Sequence, residues 1–315
     1  MTASFFVTGA AGCVGRAFLE QSGSAGTRVV GLDLSPPPEG FCAGEWVRGD
    51  ILNAGSYAGK LRGIDVVIHL AAMAHSVPGT KEEADRFWTV NLEGTKTLIA
   101  TALEQGVRRF VHVSTVAVLS PSAGGIESAY ADSKRSAERK VFEFRDRIQV
   151  VVVRPTTVYG PNDRGNIYRL IRWVDRGLPA IIGSGENRKS LVYSRNLADA
   201  LLFLSEHGKN SESYVVTDGH DVSMKEIVGE ISRSLGRGDR WPPIPLVAAN
   251  AVTGFSEWIA EHFGVPRFFG REMVTKLTEE TVFDPSLLFS LGFRPAYGFD
   301  KGMMETVQWY KRSAR

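Results

Sequence analysis

Only two of the 315 residues are cysteines, Cys13 and Cys42, too few for a disulfide framework. Both read as free thiols of a reducing compartment, Cys13 inside a glycine-rich turn. No apolar run approaches the roughly 20 residues of a membrane span. The N-terminal Met1-Thr2-Ala3-Ser4-Phe5-Phe6 runs straight into the first expected strand and leaves no room for a signal peptide, so the expected location is cytoplasmic. A net charge of +2, with no Lys/Arg block, argues against nucleic acid as a partner. The basic end, Lys311, Arg312 and Arg315, reads as a solvated tail. Repeats and low-complexity segments are absent, Pro36-Pro37-Pro38 being the one homopolymer of note, and no metal site is expected.

What is present is the composition of a globular protein, 43% hydrophobic and 23% charged, long enough to bury a sizeable core. Short apolar runs at Ser4–Thr8, Arg28–Asp33, Val66–His69, Arg109–Ser114 and Gln149–Arg154 read as strands buried on both faces. Helical stretches fit between them at Gly12–Gln21, Arg86–Gly106 and Tyr130–Phe144. That alternation predicts an α/β fold, a Rossmann-type doubly wound parallel sheet with a smaller C-terminal lobe. The expected division is 1–158 for the sheet domain and 159–315 for the lobe, with segments near 190–217 returning to the sheet (Leu191–Tyr193, Asn196–Leu204 and Tyr214–Thr217). Turn signals crowd the second half, from Gly160-Pro161-Asn162 to Trp241-Pro242-Pro243. The apolar Leu246–Phe263 lacks a basic polar face and reads as a helix packed in that lobe, not one lying on a membrane.

Val7-Thr8-Gly9-Ala10-Ala11-Gly12-Cys13-Val14-Gly15 closes the first strand and opens the first helix. Glycines there let the backbone approach a pyrophosphate, whose charge rests on the N–H groups of the helix N-terminus. Asp33 ends the second strand, where a carboxylate accepts hydrogen bonds from ribose hydroxyls and repels a 2′-phosphate. The expected cofactor is therefore NAD, not NADP. Asp50, ending a third apparent strand, either meets the adenine amino group or caps a helix.

Gly9-x-x-Gly12-x-x-Gly15 resembles the turn of the extended short-chain dehydrogenase/reductase family. Further pieces follow in that family's order: His69-Leu70-Ala71-Ala72, Asn91, Ser114-Thr115, Tyr130-x-x-x-Lys134, Arg154-Pro155 and Val158-Tyr159-Gly160-Pro161. The tail, Phe283-Asp284-Pro285-Ser286 through Leu291-Gly292-Phe293-x-Pro295, resembles its NAD-dependent nucleotide-sugar epimerase/dehydratase branch. The resemblance implies cofactor contacts from Gly9, Gly12, Cys13, Val14, Gly15, Asp33, Asp50, Ile51, Leu70, Ala71, Ala72, Asn91, Tyr130, Lys134 and Pro155. For the substrate it implies Thr115, Tyr130 and Arg188, the last pairing with a diphosphate, and Asn166 is either a substrate contact or a helix cap. His75 reads as a polar loop residue outside the catalytic set, and a homodimer through the helices Arg86–Gly106 and Tyr130–Phe144 is also implied.

Tyr130 and Lys134, four apart, share a helix face. An ammonium there is expected to lower the phenol's pKa and make Tyr130 a general base, with Thr115 bonding the same substrate oxygen. Relatives that dehydrate nucleotide sugars carry Asp-Glu directly after the Thr, where this chain has Val116-Ala117. Two reactions remain, C4 epimerisation of a nucleotide sugar and reduction of a 4-keto nucleotide sugar. Rivals are a 3β-hydroxysteroid-type dehydrogenase, against which Arg188 counts, and a non-catalytic NAD-sensing protein, against which the intact Tyr130 and Lys134 count. The family's usual Tyr-Gly is replaced by Leu119-Ser120 and the 115–130 segment is short, so a reduced rim is expected at the sugar end.

Overall fold

The computed structural model describes residues 3–23, 27–41, 44–74, 78–122, 124–238, 243–249 and 271–313. Cys42, His75 and all of the Leu246–Phe263 stretch beyond 249 lie outside them. Seven strands form one sheet: β1 (Phe5–Thr8), β2 (Val29–Asp33), β3 (Gly44–Arg48), β4 (Val66–His69), β5 (Arg109–Val113), β6 (Gln149–Pro155) and β9 (Glu212–Val216). Their order is β3-β2-β1-β4-β5-β6-β9, and every neighbouring pair is parallel. The order reverses between β1 and β4, the place where the strand ends of such a sheet part to leave a crevice.

Side chains alternate across this sheet, so its central strands feed two cores. Phe5 and Val7 pack with Val111, Val151 and residues of α1 (Cys13–Gly23) and α6 (Ser194–His207). Phe6 faces the opposite side with Val67, Phe110, Val150 and Val152, under α3 (Gly94–Glu104) and α4 (Ala129–Phe142). The helix expected over Arg86–Gly106 starts earlier, as α2 (Lys81–Trp88), capped by Thr80, whose hydroxyl accepts from the Glu83 amide at 3.2 Å. The run Lys81–Asp85 is too charged to show an apolar stripe, which hid this turn from pattern reading. Between α2 and α3 the chain makes one π-turn over Thr89–Glu93.

A second sheet, β10-β8-β7, joins β7 (Thr157–Tyr159), β8 (Arg188–Tyr193) and β10 (Asp221–Ser223). Leu191–Tyr193 therefore does not return to the main sheet: β9 already occupies the edge of β6, and β8 bonds β7 and β10 instead. The Tyr214–Thr217 run does return, supplying β9. Against the small sheet pack α5 (Asn166–Asp175), α7 (Met224–Leu235) and α10 (Phe299–Ser313), around Tyr159, Ile171, Tyr193, Val228 and Met303. Two shorter helices, α8 (Arg271–Thr278) and α9 (Ser286–Ser290), precede α10.

Asp218, just past β9, ties the two sheets together. It accepts from the Tyr159 hydroxyl at 3.0 Å, the Tyr193 amide at 2.9 Å and Asn196 Nδ2 at 2.7 Å. Burial raises its pKa, and these donors offset part of that cost.

Helix α7 opens with a capping box, in which Ser223 Oγ accepts from the Glu226 amide at 3.2 Å while the Glu226 carboxylate accepts from the Ser223 amide at 2.7 Å. Ser223→Ala is expected to lower unfolding free energy by about 1 kcal/mol. Urea denaturation checks this as a lower midpoint at unchanged slope; an unchanged midpoint would make the cap dispensable.

Candidate active site

The crevice between β1 and β4 is floored by backbone. Gly9 has φ +67°, and a Cβ there would lie 2.8 Å from the Ala71 nitrogen, so the turn and the exit of β4 are in contact. At Gly15 a Cβ would meet the Gly9 oxygen at 2.4 Å, so helix α1 sits directly on the turn. Gly12 is exposed at the crest, and the amides of Cys13 and Val14 open the helix. Such a cradle, narrow enough to exclude Cβ atoms and edged by unpaired helix-start amides, fits a pyrophosphate. The Cys13 thiol is tucked against the Ser194 hydroxyl, and burial pushes it well above its usual pKa, so it stays neutral.

Asp33 reaches back to the same turn. Its Oδ2 accepts from the Ala11 amide at 3.0 Å and its Oδ1 from the Ser35 amide at 2.9 Å. Asp50 accepts from the Leu52 amide at 2.9 Å within the turn after β3, and Asn53, not Asp50, holds the cap position of the helical turn Ala54–Ser56 that follows. The Ile51 side chain is buried and packs on Gly94, where a Cβ would meet it at 2.5 Å, leaving only its backbone for a ligand.

Thr8 and His69 are register partners on one face of the sheet. His69, 1% exposed, lies with Nδ1 2.8 Å from Thr8 Oγ1 and Nε2 2.9 Å from Thr95 Oγ1. The Thr95 hydroxyl donates its one proton to the Asn91 carbonyl at 2.6 Å, so toward His69 it can only accept. His69 is thus protonated on Nε2, and Thr8, which accepts from the Ala71 amide at 3.1 Å, donates to Nδ1. Burial, with Lys134 adding to it, holds the ring down to about 3 and hence uncharged.

Asn91 sits in the π-turn, 1% exposed. Its Oδ1 accepts from the Met73 amide at 2.8 Å, and its Nδ2 donates to the Met73 carbonyl at 3.1 Å and to Ser133 Oγ at 3.1 Å. Ser133 in turn donates to the Tyr130 carbonyl at 2.9 Å. Asn91 therefore locks the Leu70-Ala71-Ala72 segment to helix α4, a side-chain use distinct from a direct cofactor contact. The unusual turn, placing a functional-site asparagine, carries no signature in the sequence.

On α4, Tyr130, Lys134 and Glu138 follow at successive four-residue steps. Tyr130 and Thr115, at the carboxyl end of β5, share a side-chain hydrogen bond. Burial still raises the phenol's pKa above its usual value, with Thr115 only offsetting it. This reverses the lowering expected from the Tyr-Lys spacing: Lys134 is itself 2% exposed, its Nζ donates to the Val113 carbonyl at 2.6 Å, and burial brings it down to about 8. Glu138 opposes that drop and is itself held by a two-pronged bond from Arg154, at 2.9 and 2.6 Å. Pro155 is buried at the end of β6.

Farther out, Arg188 is exposed at the start of β8 and donates to the Asp221 carbonyl at 3.1 Å. Asn166 is exposed in the first position of α5, where Gly165 holds the cap position and no side-chain cap bond forms. The short rim is stitched to α4: Arg135 donates to the Val118 and Ser120 carbonyls at 3.1 and 2.6 Å, and Asp132 accepts from Ser122, Ser128 and Arg135. Thr95 and Glu138 carry no expectation from the sequence, while Thr8, His69 and Ser133 lie inside motifs that the sequence reading picks out without giving their side chains a role. A histidine in an otherwise apolar strand, and a Glu one turn beyond the Lys, were the signals available. No helix among the described residues is long and apolar enough to cross a membrane, and none of their His, Cys, Asp and Glu side chains cluster as a metal site.

The sequence model of the NAD-dependent epimerase/dehydratase family matches residues 5–217. A UDP-glucose 4-epimerase from Vibrio cholerae is 31% identical over 278 residues, 82% of this chain and 81% of the relative. A solved structure described as MoeE5 in complex with UDP-glucose and NAD is 26% identical, covers 99% of this chain and 100% of its own, and superposes with a TM-score of 0.73. The UDP-N-acetylglucosamine 4-epimerase of Methanobrevibacter ruminantium, 22% identical over 99% of this chain and 100% of its own, shares the fold with a TM-score of 0.76.

His112 is fully buried beside His69, with ring centroids 5.4 Å apart, and neither of its nitrogens has a partner among the described residues. Burial, and secondarily Lys134 and His69, hold its pKa well below 6.5. Two histidines kept neutral in the fold but titrating near 6.5 when unfolded bind fewer protons in the native state. Stability is therefore full above pH 6.5 and falls below it, toward about 1.4 kcal/mol per pH unit for each histidine. Urea denaturation from pH 7.5 to 5 is expected to show this slope, and His112→Leu to remove about one proton's share of it with little change at pH 7.5. An unchanged slope in His112→Leu would show that His112 is protonated in the native protein.

Proposed function

The chain belongs to the NAD-dependent epimerase/dehydratase family, enzymes of the short-chain dehydrogenase/reductase type with NAD as cofactor, and we propose that it is a nucleotide-sugar C4 epimerase. The observation that carries this reading is the pairing of Thr115 with Tyr130 at the carboxyl end of β5, above a buried Lys134. Val116 and Ala117 follow Thr115, so no carboxylate stands where water elimination needs an acid and a base.

When bound, NAD supplies the hydride acceptor. The glycine cradle holds its pyrophosphate and Asp33 its adenosine ribose. Tyr130 takes the proton of the sugar 4-hydroxyl and later returns it, while Thr115 Oγ1 orients the same oxygen. Lys134, fixed through the Val113 carbonyl and kept cationic by Glu138, supplies the positive charge that offsets a forming phenolate. Burial sets that demand, since it raises Tyr130 and lowers Lys134 together. The segments after residue 158 that pack around the second sheet form the substrate lobe, where Arg188 keeps guanidinium donors for a diphosphate and Asn166 is exposed for a sugar contact.

A panel of UDP-, dTDP- and GDP-sugars, scored by product analysis, tests the assignment. C4 epimers are expected to form without net consumption of reduced cofactor; stoichiometric loss of NADH with a 4-keto sugar would replace the epimerase reading by a reductase. Tyr130→Phe is expected to keep the fold and NAD affinity while turnover falls by roughly 10²–10⁴-fold. Thr115→Val should slow turnover less, and Lys134→Met should reduce both turnover and NAD binding. Undiminished turnover in Tyr130→Phe would end the redox mechanism.

A further inference from the structure

Three buried polar atoms near the end of β5 have no partner among the described residues: both ring nitrogens of His112 and Ser114 Oγ. His112 is 0% and Ser114 5% exposed. Ser114 continues the ladder of β5 through its amide, which donates to the Val153 carbonyl at 2.7 Å. The two residues, two apart, share the face on which Phe110 packs under α3 and α4. The carbonyl between them, that of Val113, accepts from Lys134 Nζ at 2.6 Å. An ammonium has three protons, and this is the one hydrogen bond Lys134 makes among the described residues. Unspent lysine donors therefore lie close to the unspent ring, on which the charge of Lys134 acts.

The polar neighbours on each packed element are committed elsewhere. On β4, His69 has both nitrogens engaged by Thr8 and Thr95. On α3, Thr95 has given its proton to the Asn91 carbonyl. On α4, Glu138 is gripped through both oxygens by Arg154 of β6. A neutral imidazole presents one bare nitrogen and one N–H, so the ring needs a donor and an acceptor together. Leaving both unpaired in a buried site costs free energy, and water is the small group that supplies both. We propose that His112 and Ser114 hold internal water that accepts a hydrogen bond from Lys134, which makes His112 a positioning residue for that ammonium. The water donates to the bare ring nitrogen and accepts from the ring N–H or the Ser114 hydroxyl. The consequence for turnover rests on the role of Lys134 given under the proposed function; the hydration site does not.

Titration of Lys134 in the full chain with NAD present, read from the carbon shift of its isotope-labelled ε position and assigned with Lys134→Met, tests this. The unaltered protein is expected to titrate at about 8. His112→Leu removes the polar atoms of the ring, and the midpoint should fall by about one pH unit, the weight of one hydrogen bond to a charged group. His112→Gln keeps a donor and an acceptor and should restore most of that fall, while Ser114→Ala should produce a smaller one. Because Lys134 loses its charge as pH rises, the alkaline loss of nucleotide-sugar turnover should move to lower pH in step with the midpoint. A neutron crystal structure should show water within hydrogen-bond distance of His112 and Ser114 Oγ, and a dry site there would overturn the inference. An unmoved midpoint in His112→Leu would overturn it too, as would an equal fall in His112→Gln, which would make the shape of the ring the cause. Should His112→Leu not fold, an unmoved midpoint in Ser114→Ala overturns it alone. If the titrations follow the expected pattern while no nucleotide sugar turns over, the epimerase reading fails and the water stands.

Discussion

A histidine with no room for a second ring proton joins the strand ends from which the crevice is built. In the order Ala71 amide, Thr8, His69, Thr95, Asn91 carbonyl, every hydroxyl and ring proton has one direction to point. Three separate pieces of chain, the end of β1, the exit of β4 and the π-turn, are set relative to one another by this run of bonds. Because it is buried, each group in it would cost free energy if left unpaired, so the arrangement is all or none. Asn91 extends the connection through Ser133 to the helix that carries Tyr130 and Lys134. The glycine turn and the helix that carries Tyr130 and Lys134 are thus parts of one rigid body.

Charge burial shapes the other half of the site. Lys134 is taken out of water and given one carbonyl, which alone does not compensate an ammonium. Glu138, one turn on and 4% exposed, supplies the missing negative field, and Arg154 neutralises and orients Glu138 through both carboxylate oxygens. The result is an alternating set of three charges running from helix α4 to the end of β6. Removing one member of such a set leaves another uncompensated, commonly at a cost of about 3–5 kcal/mol. Lys134 at about 8 is the compromise: charged near neutrality, yet close enough to its limit that its surroundings decide its state.

The sugar end is built differently. Val116, buried, and Ala117 stand where the resemblance places the carboxylates of relatives that eliminate water, and the short rim is pinned to α4 by Arg135 and Asp132. Asp132 and Arg135 belong to the same helix as Tyr130, so rim and Tyr130 move together.

Local chemistry that a chain can express alone was legible in order: the glycine turn between strand and helix, an acid closing β2, a Tyr and a Lys one helical turn apart, and apolar runs short enough to be buried strands. These depend on backbone sterics and on periodicities of two and 3.6 residues, which neighbours in sequence determine. Tertiary structure alone decided what separated segments do to one another. It put Leu191–Tyr193 into a second sheet because the edge of β6 was taken, turned Asp50 onto the Leu52 amide and Ile51 into the core, and bent a helix by a π-turn so that Asn91 could grip Met73. It also reversed the expected shift of Tyr130, whose burial outweighs the hydrogen bond from Thr115. Burial is a property of packing in three dimensions, and no spacing along the chain encodes it.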